Sequence, residues 1–111
     1  MSVLRAFEEK VIDLLTKRVL SPEILAEVKQ GAEVVSYNYT GHGYYLKLRH
    51  PKLPQERVVC DRPVLKGVTE GLETGFLVFL QNHELTLECF PYGPDPVPEH
   101  YRERNVEVTA T

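Results

Sequence analysis

Four histidines and two cysteines are the side chains of this 111-residue chain best suited to bind a metal or attack a substrate. A metal site needs three or four converging ligands, and no two of the histidines stand at helical metal spacing. His42 and His83 fall in predicted turns, where polar residues are common. Cys60 and Cys89 fall on the apolar sides of predicted strands, where a thiol behaves as a small hydrophobic group. The sequence therefore predicts no metal, no cofactor and two buried, reduced cysteines.

Glu88 is the titratable residue with the most unusual predicted surroundings. It lies in the middle of a strand, with Leu77 opposite and Phe90 two positions along. A carboxylate among apolar neighbours can serve as an acid or base, and a cleft at this place would suit a small enzyme. The alternative, which we favour, is a solvated carboxylate or one paired with Lys47 or Arg49, because structural ion pairs are common. We therefore predict no catalytic residue.

Composition and charge restrict the classes of partner. The net charge is −3 and the pI is about 5.8, which gives no electrostatic footprint for nucleic acid or anionic lipid. No apolar run approaches the roughly 18 residues that span a membrane. The first 13 residues include Glu8, Glu9 and Asp13, unlike a signal peptide. We expect a soluble, cytoplasmic protein without nucleic-acid or membrane partners, folded as one domain over residues 1–111.

The element that must position Glu88 is a hairpin formed by residues 75–90. Asn82-His83 is the predicted two-residue turn. One face then pairs apolar side chains, namely Leu80 with Leu85, Val78 with Leu87, and Phe76 with Cys89. The opposite face pairs Leu77 with Glu88, Phe79 with Thr86, and Gln81 with Glu84. One face is thus predicted to be core, and the other is apolar with charges set into it.

Residues 1–30 are predicted to be helical. Apolar side chains recur at helical spacing over Val3–Val19, and charges such as Glu8 fall mostly on the solvated side. Ser21-Pro22-Glu23 starts a second helix, because it supplies a capping hydroxyl, a proline at the first position and an acid at the positive end. Gly31 ends that helix.

Residues 31–90 are predicted to form a sheet. A second hairpin turns at Gly41-His42 and pairs Tyr39 with Tyr44, Tyr37 with Leu46, and Val35 with Leu48. Short strands follow at Arg57–Cys60 and at Val64–Leu65, the latter within a loop from Pro63 to Gly75. Residues 91–111 form a proline-rich tail, with a helical turn at Glu99–Arg104 and an edge strand at Val106–Val108.

The predicted fold class is therefore α+β, with the N-terminal helices packed on one antiparallel sheet of five or six strands. The first helix should bury Phe7 and Val11 against one face of that sheet. This face is formed by Val35, Tyr37, Leu46, Val78 and Leu87.

The second face of the sheet is the candidate binding surface. Grouped apolar side chains left in water lose the stabilisation of burial, while unpaired charges do not belong in an interior. A mixed face suits a contact surface with an apolar centre and a polar rim. The competing interpretation is that the tail folds over it within the monomer. The candidate binding residues are Tyr45, Lys47, Leu77, Phe79, Glu88 and Phe90.

Three sequence motifs resemble a set of small bacterial single-domain proteins of unknown function. They are Tyr39-Thr-Gly-x-Gly-Tyr-Tyr45, Gly75-Phe-Leu-Val-Phe-x-x-Asn-x-x-Leu-Thr-Leu-Glu88, and Phe90-x-Tyr-Gly-x-x-x-x-Pro98. His83 stands where a glycine is more usual in the turn. The resemblance implies an accessory protein without established enzyme activity, and some similar proteins are immunity factors beside toxins.

Three functions follow as expectations. The first is a non-enzymatic protein-interaction module that binds a protein partner or itself. The second is an immunity protein that neutralises a toxin, since an acidic surface suits a basic partner. The third is a small ligand-binding domain or enzyme with a cleft near Glu88.

Overall fold

A computed structural model of the protein describes residues 3–110. Within these residues, two helices are followed by seven strands, and every strand pairing is antiparallel. This confirms the α+β class, with more strands than the five or six predicted. The elements are α1 (Ala6–Thr16), α2 (Pro22–Gly31), β1 (Glu33–Tyr39), β2 (Tyr44–Arg49), β3 (Val58–Cys60), β4 (Leu65–Thr69), β5 (Leu72–Gln81), β6 (Glu84–Pro91), a 3₁₀ turn (Tyr101–Glu103) and β7 (Glu107–Ala110).

The sheet is built around the hairpin of β5 and β6. Its strand order is β1-β2-β6-β5-β4-β7. The short strand β3 lies outside this order: β4 pairs with the N-terminal part of β5, and β3 pairs with the C-terminal part of β5 along the same edge. All six predicted side-chain pairs of the β5–β6 hairpin are present. Asn82 and His83 both have positive φ, as a type I′ turn requires. The alternation of side chains in this hairpin therefore predicted its register correctly.

The β1–β2 hairpin follows the predicted register only near its turn. Tyr39 pairs with Tyr44 and Tyr37 with Leu46, but a bulge follows Val34, so that Leu48 pairs with Val34 instead of Val35. An extra residue in one strand shifts all later pairs by one. The predicted Val35–Leu48 pair is therefore wrong.

The segment before β5 is more regular than predicted. We expected a loop from residue 63 to Gly75, whereas β4 extends to Thr69 and β5 begins at Leu72. Glu70 and Gly71 both have positive φ, which allows a two-residue turn between antiparallel strands. The far edge of β4 pairs with β7, close to the predicted edge strand.

The helices cover one face of the sheet, as predicted. The Ser21 hydroxyl accepts a hydrogen bond from the Ile24 amide at 3.2 Å, which caps α2. In α1, Phe7 and Val11 are buried, and the helix contacts β5 and β7. Leu46, Val78 and Leu87 are buried in the same core, whereas Val35 and Tyr37 remain exposed. Their predicted place under α1 is wrong, because the helices do not cover the edge strand β1.

The C-terminal segment lies on the same face as the helices. Val97 is fully buried, and its carbonyl accepts a hydrogen bond from the Tyr39 hydroxyl at 2.6 Å. The Tyr101 ring is also buried, edge-on to Phe7 with the ring centroids 5.8 Å apart. The Tyr101 hydroxyl lies 2.8 Å from the hydroxyl of the core residue Thr74. From Val97 onward the tail therefore completes the core on the helical side, whereas Tyr92 of the tail packs on the second face, against Phe90.

Candidate functional site on the open face of the sheet

The face of the sheet that points away from the helices contains all six predicted binding residues. We call it the open face. Adjacent side chains alternate across a strand, and the buried partners of these residues lie on the opposite side. Its central side chains are Tyr45 and Lys47 from β2, Thr86, Glu88 and Phe90 from β6, Leu77 and Phe79 from β5, and Val59 from β3.

Strand register arranges the central residues in two rows across the strands. The first row runs Tyr45, Glu88, Leu77. The second row runs Lys47, Thr86, Phe79, Val59. Directly opposed side chains are close enough to interact, and the rows are two residues apart, about 6.6 Å. Each row passes from polar side chains on β2 to apolar ones on β5.

Phe90 and Tyr92 extend the apolar centre toward the end of β6. The two rings are in edge contact, with centroids 5.5 Å apart. Both rings lie over Gly75, where an added Cβ would come within 2.4 Å of the Phe90 ring. The Tyr92 hydroxyl donates to the Leu65 carbonyl at 2.9 Å, which holds its ring in place. Glycine at position 75 thus leaves the space that these rings fill.

The apolar centre is only partly shielded. Leu77, Phe79 and Phe90 are half-buried by their neighbours on the sheet. Tyr45, Val59 and Tyr92 are 38%, 45% and 45% exposed. Burial of such groups contributes roughly 25 cal/mol per Å², so this surface can gain free energy by being covered.

Charged pairs border the apolar centre. Arg49 donates to Glu84 at 2.7 Å, and Lys47 lies 3.8 Å from the same carboxylate. The Arg49 hydrogen bond lowers the pKa of Glu84. Beyond β5, Lys66 and Glu73 pair at 3.2 Å. The side chains of these pairs are 21–53% exposed, so water screens each pair and each adds little to folding stability.

Glu88 has a different partner from those expected. Its carboxylate accepts a hydrogen bond from the Tyr45 hydroxyl at 3.1 Å. The nearby Glu88 charge and this hydrogen bond raise the pKa of Tyr45. Lys47 and Arg49 both bind Glu84, so the predicted pairing with Glu88 is wrong. Among residues 3–110, no basic side chain lies within ion-pair distance of Glu88.

Two cavities lie away from the open face. One of about 500 Å³ lies between the start of α1 and the C-terminal segment, and it is lined by Phe7, Arg102 and Val106 among others. Another of about 720 Å³ lies between Val19 and residues 54–58. Neither cavity reaches Glu88.

A second polar cluster is buried beneath the C-terminal segment. Glu8 was expected on the solvated side of α1, but it is fully buried. Its carboxylate accepts bonds from the Arg5 amide, from the Tyr44 hydroxyl at 2.6 Å and from two Arg102 nitrogens at 2.7 and 2.8 Å. The Arg102 guanidinium also lies 5.4 Å from the centre of the Tyr37 ring. These partners saturate the carboxylate, so the cluster joins α1, β2 and the C-terminal segment.

Val59 and Tyr92 are open-face residues that the sequence prediction missed. The predicted strand of Val59 is defined only by the apolar side chains of its core face, the partly buried Val58 and the buried Cys60. Tyr92 was placed in the tail, although it continues the spacing of two set by Glu88 and Phe90. Strand alternation carried two residues further would have identified Tyr92. Val59 could be placed only by the pairing of β3 with β5.

Other candidate chemistry is distributed through the molecule. Cys60 and Cys89 are free and buried, as predicted, and burial raises the pKa of both thiols. Within the described residues, no three histidine, cysteine, aspartate or glutamate side chains converge as a metal site would require. The helices α1 and α2 have 11 and 10 residues, fewer than the roughly 18 apolar residues that a membrane-spanning helix needs.

Comparison with known proteins found no matching family model, no similar curated protein and no similar solved structure. The resemblance of the three motifs to small bacterial proteins therefore stays a prediction.

Proposed function

We propose that the protein is a non-enzymatic protein-interaction module and that the open face is its contact surface. The observation that carries this proposal is the one-sided arrangement of the fold. Both helices and the C-terminal segment pack on the opposite face, so Tyr45, Val59 and Tyr92 stay exposed beside half-buried Leu77 and Phe79. Grouped exposed apolar side chains on a small protein mark interaction surfaces.

The polar groups of the open face support a contact surface better than a catalytic one. Arg49 pairs with Glu84, and the Tyr45 hydroxyl with Glu88. A hydrolytic or acid–base site would bring a nucleophile, a base and a charge-stabilising group to one point. Here the charged groups lie along the border of an apolar centre, which is the arrangement of an interface rim.

The proposal can be tested by site-specific photo-crosslinking. A benzoyl-phenylalanine at position 79 preserves the aromatic ring, and the same residue at the exposed position Lys17 serves as the matched control on the helical side. In cells that express the chain, we expect a discrete cross-linked protein from position 79 and none from position 17. A Leu77→Glu change should abolish that product without unfolding the chain, since Leu77 is only half-buried.

Equal cross-linking from both positions would contradict the proposal. Cross-linking at position 79 that survives Leu77→Glu would also contradict it, because a specific interface cannot accept a charge at its apolar centre without loss of affinity.

A further inference from the structure

We propose that a second copy of this chain occupies the open face, so that two sheets pack face to face about a two-fold axis. This inference rests on the proposed function and names its partner. Sheets that pack in this way bury their facing side chains in a common layer, with strand directions about 30° apart.

The charge of the open face suits a copy of itself. The whole chain has a net charge of −3, so a basic partner would be expected to dock on an excess of acids. The edge strands β1 and β7 each contribute one acid to the open face, Glu33 and Glu107, but the inner strands β2, β4, β5 and β6 carry no excess, with three basic and three acidic residues. These six residues are Lys47, Arg49, Lys66, Glu73, Glu84 and Glu88.

The two rows of the open face are complementary to each other. Consider a two-fold axis that lies between the two facing sheets, perpendicular to the strands and midway between the two rows. This axis places the first row of one subunit opposite the second row of its partner. Phe79 then lies opposite Leu77 of the partner subunit. Lys47 lies opposite Tyr45 of the partner subunit. It is offset sideways from Glu88 of the partner subunit by one strand spacing of about 4.8 Å, across sheets about 10 Å apart, a gap that the two long side chains can bridge. Each contact occurs twice, as a two-fold interface requires.

Lys47 and Glu88 can each form a further ion pair across such an interface. Glu84 is bound more closely by Arg49 than by Lys47, whose nitrogen is 3.8 Å away and beyond hydrogen-bond distance. Glu88 accepts a bond from Tyr45 and has no cation within ion-pair distance among residues 3–110. A second copy would supply a cation to Glu88 and a second carboxylate to Lys47, which already shares Glu84 with Arg49.

The size of the face fits a reversible dimer. The strands β2, β6 and β5, with β3 and β4 sharing the next position along the sheet, give four strand positions about 4.8 Å apart; with about six residues of length at about 3.3 Å per residue, they span roughly 20 by 20 Å. This is about 400 Å² in projection, and standing side chains expose more than their projected area. A standard interface buries about 800 Å² per partner, so we expect a dimer that dissociates on dilution.

Sedimentation equilibrium of the purified chain tests the inference. We expect a concentration-dependent equilibrium between monomer and dimer. Lys47→Glu and Glu88→Lys should each weaken the dimer roughly tenfold or more, because each places like charges together twice. An equimolar mixture of the two variants should restore it, because opposite charges then meet at both contacts. The matched controls Lys17→Glu and Glu23→Lys, exposed on the helical side, should leave the equilibrium unchanged.

Three results would overturn the inference. They are a wild-type chain that stays monomeric at every concentration, single variants that dimerise as well as the wild type, and a mixture that does not recover. A monomeric purified chain with a position-79 cross-link to another protein would overturn the second copy and leave the proposed function standing. A monomeric chain without that cross-link would overturn both.

Discussion

The buried pair of Glu8 and Arg102 gives the sharpest prediction about stability. Arg102→Met keeps most of the apolar stem and removes the guanidinium. The Glu8 carboxylate, which is fully buried, then loses two of its hydrogen bonds and its only adjacent cation among the described residues. Removing one partner of a buried ion pair costs about 3–5 kcal/mol. Because the Arg102 side chain is 17% exposed, water can enter, and we expect about 3 kcal/mol.

A second substitution, Glu8→Gln, should recover part of the stability lost in Arg102→Met. Glu8→Gln in the Arg102→Met chain removes the buried charge, while the amide oxygen can still accept a bond from Tyr44 or from the Arg5 amide. We expect the double variant to be more stable than Arg102→Met alone by about 1–2 kcal/mol, because an unpaired buried charge costs more than a neutral polar group. The free energy of unfolding from urea titrations gives each value of the double-mutant cycle.

Arg104→Met is the matched control for this cycle. Arg104 also pairs with an acid, Glu70, but that carboxylate is largely exposed. An exposed ion pair contributes about 0–1 kcal/mol, so the control should lose no more than that. The reasoning is refuted if Arg102→Met and Arg104→Met cost the same, or if the added Glu8→Gln destabilises the chain further.

Two further predictions concern a close backbone contact and alkaline pH. Gly43→Ala should lower the free energy of unfolding, measured in urea, by at least about 2 kcal/mol, because the added Cβ would come within 2.1 Å of the Cys89 carbonyl oxygen. In the control Gly93→Ala the added Cβ has no neighbour within 4 Å, so the change should be within about 0.5 kcal/mol. Equal losses in the two variants would contradict the contact. Burial and the nearby Glu8 charge raise the pKa of Tyr44, and burial raises the pKa of Tyr101 to about 12. Near pH 10 both phenols therefore stay neutral in the folded state, whereas tyrosines of the unfolded chain begin to ionise. The contribution of the two phenols to the free energy of unfolding is therefore complete below pH 10 and is lost as the pH rises above it. Tyr44→Phe should reduce that loss by up to about 1.4 kcal/mol per pH unit, measured by urea unfolding at successive pH values. An unchanged dependence of stability on pH would contradict this prediction.

Local sequence was sufficient for the β5–β6 hairpin, for the turn end of the β1–β2 hairpin and for the six predicted residues of the open face. Side-chain alternation determines which residues share a face, and a two-residue turn at Asn82-His83 determines their register. The α2 start at Ser21 is likewise a local hydrogen-bonding requirement. Such features depend on neighbours a few positions apart, so a sequence pattern contains the information for them.

Only the tertiary structure decided the surroundings of Glu8 and the location of the tail. Glu8 occupies a helical position that pattern alone assigns to solvent, and it is buried because Arg102, 94 residues away, meets it. Val97 and Tyr101 lie under the helical side for a similar reason, and their burial there leaves the open face uncovered. Burial of a charge or of a loop depends on which distant groups can satisfy its hydrogen bonds, and that pairing exists only once the chain has folded.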